Sequence, residues 1–89
     1  MKAVIYKYAL KLDFGMQILK IPMGAEILTA QIQGDQLVLW AKVNSDVPAV
    51  DRKFEIVGTG QSVQPNVFYI SSIQSMSGTI VFHLFEVLN

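Results

Sequence analysis

Apolar and polar residues alternate with a period of two along most of this chain, which is the spacing of β-strands. The clearest stretch is Ala25–Asn44, where AEILTAQIQ and QLVLWAKVN flank Gly34-Asp35. Two β-patterned runs around a two-residue Gly-x loop predict a type II′ hairpin. That loop sets Ile32 against Leu37, Ala30 against Leu39 and Leu28 against Ala41, all on one apolar face. The other face pairs Gln33 with Gln36, Gln31 with Val38 and Thr29 with Trp40, and is mixed.

The same alternation predicts the remaining elements. Lys2–Leu10 is a strand with Val4, Tyr6, Tyr8 and Leu10 on one face. Lys11–Gly15 is a turn, and Met16–Ile21 a strand that Pro22-Met23-Gly24 stops. Ser45–Lys53 is a polar connection and the most charged window, with Pro48 opposing a regular central strand. Phe54–Val57 resumes a strand and runs into Gly58-Thr59-Gly60, with Gln61–Asn66 as a further loop. Val67–Ile73 is a strand and Ser75–Gly78 a turn. Thr79–Leu88 is the last strand, apolar on both faces and therefore expected inside a sheet. About seven short, mainly antiparallel strands with no helical period predict an all-β fold, a sandwich or small barrel. Residues 1–89 are expected to form one domain.

Composition changes the picture in one respect. The chain is 52% hydrophobic and 16% charged, against about 25% charged in an average domain. Either both sheet faces are covered within the chain, or apolar surface is buried against another copy or a partner, so a homo-oligomer is expected. Seven basic residues balance seven acidic ones, which gives no general attraction to nucleic acid or an anionic membrane. The absence of cysteine excludes disulfides, thiolate metal sites and a cysteine nucleophile, and is compatible with the cytoplasm. The opening MKAVIYKYAL alternates and is broken by Lys7, so it reads as a strand and not as a targeting segment. No stretch reaches the roughly 18–20 apolar residues that span a bilayer.

Candidate chemistry is sparse. Gly58-Thr59-Gly60-Gln61 can present successive backbone N–H groups and a hydroxyl to an anion, or can simply be a tight turn that needs two glycines. His83, the one histidine, sits in phase with Val81 and Phe85, as a hydrogen-bonded core or interface residue or as a ligand contact. Trp40 and Lys42 lie on the mixed face of the hairpin, where Trp is a suitable anchor for a partner or a second copy. Arg52, the one arginine, is the natural fork for phosphate or carboxylate, or a solvated loop residue. Lys2, Tyr6, Lys7, Tyr8 and Lys11 interleave cations and aromatics, but Tyr6 and Tyr8 project away from Lys7, which argues against a nucleic-acid platform. Lysines on a terminal strand also protect an exposed edge. Asp13, Asp35, Asp46, Asp51, Glu26, Glu55 and Glu86 are scattered and suggest no acid/base pair. No enzyme activity, metal or cofactor is therefore expected.

VIYKY (Val4–Tyr8), FEIVGTGQ (Phe54–Gln61) and VFHLFE (Val81–Glu86) together resemble a family of small, uncharacterised proteins encoded by tailed phages and prophages. PMGAEIL (Pro22–Leu28), the Trp40 hairpin and the ending SSIQSMSGTIVFHLFEVLN are similar to the same family. The resemblance covers most of the chain and transfers no active site. It implies a non-enzymatic accessory protein acting by stoichiometric binding in the host cytoplasm. Counter-defence is one such role, by blocking a host protein or by sequestering a small phosphorylated, nucleotide-like signal. In the second case Gly58–Gln61 supply donors, Arg52 or Lys42 charge, and Trp40 or a tyrosine a stacking surface. The alternative is a structural or virion-associated β module with no small-molecule ligand.

Overall fold

A computed structural model of the chain, describing residues 2–75 and 77–88, contains seven strands. They are β1 (Ala3–Leu10), β2 (Gly15–Pro22), β3 (Glu26–Gln33), β4 (Gln36–Asn44), β5 (Ala49–Gly58), β6 (Val67–Gln74) and β7 (Val81–Val87). The strands form a three-stranded sheet in the order β1-β4-β3 and a four-stranded sheet in the order β2-β5-β7-β6. Every hydrogen-bonded neighbour pair is antiparallel. The sheets pack face to face as a sandwich, so the fold is all-β. Among the described residues no helix is long and apolar enough to cross a membrane.

Alternation decides which side chains meet between the sheets. On β4, Leu37, Leu39, Ala41 and Val43 point inward and are almost fully buried. Ile21, Phe54, Ile56, Leu84 and Phe82 face them from the second sheet. Burying a side chain of the size of Phe54 or Leu84 contributes about 1.5–3 kcal/mol. The hairpin turn has Gly34 at a φ of +66° and no positive φ at Asp35, the sign pattern of a type II′ turn. Val38, on the opposite face of β4, is nonetheless buried. Lys7 Nζ on β1 donates to Gln33 Oε1 on β3 across 2.8 Å, and this bridge straddles β4 above Val38.

Three elements differ from the sequence expectation. Leu28 does not face Ala41; a bulge between Ile27 and Thr29 puts Ile27 opposite Ala41 and brings Glu26 opposite Lys42. The expected polar connection Ser45–Lys53 is half strand, because β5 starts at Ala49 and pairs with β2 from Pro22↔Ala49 onward. Pro48 precedes the strand and does not interrupt it, and its carbonyl accepts the Met23 N–H at 2.9 Å. The last strand begins at Val81, since Ile80 belongs to the turn, where its carbonyl accepts the Ser75 N–H at 2.7 Å. That turn includes Met76, which lies outside the described residues.

Candidate functional site

The connection from β5 to β6 controls what is exposed on the second sheet. β5 and β6 both pair antiparallel with β7, so they run parallel to each other and the chain must return along the sheet between them. Residues 59–66 do this over the outer face. Thr59 Oγ1 lies 2.8 Å from His83 Nε2, and Gln64 Nε2 donates to Glu55 Oε1 at 3.0 Å. His83 and Glu55 both point outward from the sheet. The covering loop explains why the outward-facing Val57 is buried.

His83 stands in a line of polar groups. Its Nδ1 lies 2.8 Å from Ser72 Oγ, and that oxygen lies 2.8 Å from Tyr69 Oη. The line exists because of a second bulge. It falls between Tyr69 and Ser71 and shifts the phase of β6, so Tyr69 faces Phe85 while Ser72 faces His83 on the same side. The Tyr69 and Phe85 rings meet edge to face at 5.7 Å. Hydroxyls donate or accept, so either neutral tautomer and the imidazolium all fit this arrangement. The line can hold and relay a proton, but no carboxylate orients the ring as in a nucleophilic triad. Its evident product is to anchor the crossing loop.

Gly58 and Gly60 serve the turn in different ways. Gly60 has a φ of +89°, where a side chain is strained. Gly58 has ordinary φ, but a Cβ there would stand 3.1 Å from the Phe14 ring and 3.3 Å from the Gln61 amide carbon. Two backbone donors are used within the turn: Gly58 N–H to Gln61 Oε1 at 2.8 Å, and Gln61 N–H to the Gly58 carbonyl at 3.0 Å.

Arg52 lies elsewhere, on the inner face of β5 in phase with Phe54 and Ile56. Its Nε and Nη2 donate to Glu86 Oε2 and Oε1 at 2.6 and 2.7 Å, and its Nη1 to the Ala25 carbonyl at 2.6 Å. The guanidinium therefore joins β5, β7 and the entry to β3, tying one sheet to the other. Glu86 continues the inward phase of Phe82 and Leu84 and faces Phe54 across the ladder.

Trp40 and Lys42 are on the outer face of the first sheet. Trp40 is half-buried between Lys7 and Thr29, its partners on β1 and β3. Lys42 Nζ is 3.8 Å from Glu26 Oε1.

The residues that sequence analysis grouped as ligand contacts thus occupy three places. Gly58, Thr59, Gly60, Gln61 and His83 come together at the loop; Trp40 and Lys42 share the other sheet; Arg52 is clamped between the sheets. Two open clefts lie away from the loop. One, of about 290 Å³, is lined by Asp51, Arg52, Lys53, Glu86, Val87 and Leu88. The other, of about 330 Å³, is lined by Ala3, Met23, Gly24, Glu26, Lys42 and Val43, with Asn44. Arg52 and Lys42 each line one cleft, and each is paired there with a carboxylate. Among the described residues no three His, Asp or Glu side chains group as metal ligands. Glu86, Ser72 and Tyr69 were not among the expected site residues. Glu86 was legible as a carboxylate in phase with Phe82 and Leu84, whereas the bulge that aligns Tyr69 with Ser72 has no sequence mark.

No curated protein and no solved structure matches this chain. A family model described as a domain of unknown function (DUF7352) matches residues 1–89, and the chain belongs to that family.

Proposed function

We propose that this protein is a non-enzymatic phage or prophage accessory protein that binds a host protein stoichiometrically in the host cytoplasm. The observation that carries this reading is the outer face of the four-stranded sheet at β2. Met16 and Ile18 stand two residues apart on it with 48% and 58% of their surface exposed. Further across the ladder the face is closed at Glu55, which Gln64 of the crossing loop caps, so the open apolar surface is Met16 and Ile18 at the β2 side. The Lys20–Asp51 ion pair, at 2.8 Å, and Lys53 border it. Two neighbouring exposed apolar side chains with a polar border on the outside of a sheet suit a protein surface better than a small ligand, which favours a concave site. The pairing of Lys42 and Arg52 with carboxylates supports the same choice over a phosphorylated ligand. The resemblance to phage and prophage proteins supports the accessory role.

The test is native mass spectrometry of the protein purified without denaturation from its host cells. The expected result is a co-purifying protein at a simple ratio, lost in Ile18→Lys and retained in Thr29→Lys on the opposite sheet. A reproducible added mass of a few hundred daltons would instead identify a sequestered small signal. Bare protein with neither would favour a structural, virion-associated module.

A further inference from the structure

A sandwich of two open sheets has four edge strands, here β1 and β3 in one sheet and β2 and β6 in the other. Unpaired edges invite strand addition unless something blunts them. Three are blunted. β3 and β6 lie against each other, with Ser71 Oγ donating to the Ala30 carbonyl at 3.0 Å, and each carries a bulge. β2 ends at Pro22, which has no N–H to offer, and carries the exposed charge of Lys20, paired with Asp51 at 2.8 Å. From within β2, the Gln17 side chain bonds both the N–H and the carbonyl of Lys11 in the turn before the strand, at 2.8 and 2.7 Å.

β1 has none of these devices, and its one lysine, Lys7, is drawn back across β4 to Gln33 at 2.8 Å, away from the open edge. It contains no proline or glycine, and its eight residues pair with β4 without a break in register. Its far edge therefore presents a regular series of backbone donors and acceptors. Ile5 and Tyr6, on opposite faces of this strand, are 62% and 44% exposed.

We propose that a second copy of this chain adds to β1 antiparallel, joining two three-stranded sheets into one six-stranded sheet with Tyr6 on the two-fold axis. The register follows from symmetry and charge. A two-fold axis normal to the sheet keeps inward residues opposite inward ones, so only registers centred on a residue are allowed. Centring on Tyr6 sets Ile5 against Lys7 of the second copy, Val4 against Tyr8 and Ala3 against Ala9. The ladder then uses nearly the whole strand and places no like charges opposite each other. Centring on Lys7 sets lysine against lysine, which is unfavourable. Centring on Ile5 shortens the ladder and leaves Ala9 and Leu10 beyond it. The contact does not involve the outer face of the four-stranded sheet, so it goes beyond the host-binding reading and stands or falls independently of it.

The test uses the full chain and analytical ultracentrifugation over a concentration series, with Ile5 varied in both charge senses. The wild type is expected to dimerise. Ile5→Lys sets like charges opposite Lys7 of the second copy and weakens the dimer about tenfold, whereas Ile5→Glu sets opposite charges there and preserves it. Because the chain has no cysteine, Tyr6→Cys supplies a single thiol on the axis, and mild oxidation is expected to give a covalent dimer. Thr29→Cys, on a strand away from this edge, is the control and gives no covalent dimer under the same oxidation. A monomeric wild type overturns the proposal. A dimer indifferent to both Ile5 variants and not linked through Tyr6→Cys overturns it as well, since the copies would then meet elsewhere.

Discussion

Arg52 and Glu86 form a two-pronged ion pair inside the sandwich, with side chains only 20% and 9% exposed. The third donor of Arg52 reaches the Ala25 carbonyl, so one guanidinium holds the two sheets together at this end. Removing one partner leaves the other charge buried and unmatched. Glu86→Ala is therefore expected to cost about 3–5 kcal/mol, and replacing the pair together by Arg52→Met with Glu86→Leu to recover most of that loss. Urea unfolding of the two variants checks this.

Gly58 and Gly60 should fail for different reasons when replaced by alanine. At Gly58 the new methyl meets the Phe14 ring, which packs on Phe82 at a centroid distance of 5.1 Å. At Gly60 there is open space, and only the positive φ is strained. Each change is expected to cost about 1–2 kcal/mol. In a Phe14→Ala background the cost of Gly58→Ala should shrink while that of Gly60→Ala stays, as a double-mutant cycle in thermal unfolding would reveal.

Thr59 pins the crossing loop to His83. Thr59→Val keeps the shape and deletes the hydrogen bond, with an expected loss of about 1 kcal/mol. The effect should be local. Amide hydrogen exchange is expected to quicken in residues 59–66 and to stay unchanged in β1 and β4. Uniform acceleration across the sandwich would contradict the anchoring role.

Tyr8 gives the fold a dependence on alkaline pH. Burial disfavours its phenolate, and the neighbouring Tyr6 adds to this, so its pKa in the folded chain lies above the usual 10.0. A raised pKa means that the folded state holds the proton more tightly than the unfolded state. The contribution is complete below pH 10.0 and disappears as pH rises through the higher folded value. Stability from urea titrations should fall across that window in the wild type, and fall less in Tyr8→Phe.

The period of two in the sequence is a local property, and it determined what local geometry controls. It located the strands, the Gly34-Asp35 hairpin, the mixed face of Trp40 and Lys42, and the inner position of β7. It also carried, unread, the inward direction of Arg52 beside Phe54 and of Glu86 beside Leu84. Only the tertiary structure decided that these two charges meet, because that requires β5 and β7 to be neighbours, a pairing with no short-range signal. The bulges at Leu28 and Ile70 were equally hidden. Each inserts one residue, reverses the phase beyond it, and so moved Glu26 to Lys42 and Ser72 to His83. For the same reason the candidate ligand residues were separated. Phase assigns a side chain to a face, whereas only non-local strand order assigns that face to the inside, the covered outside or the open edge of the sandwich.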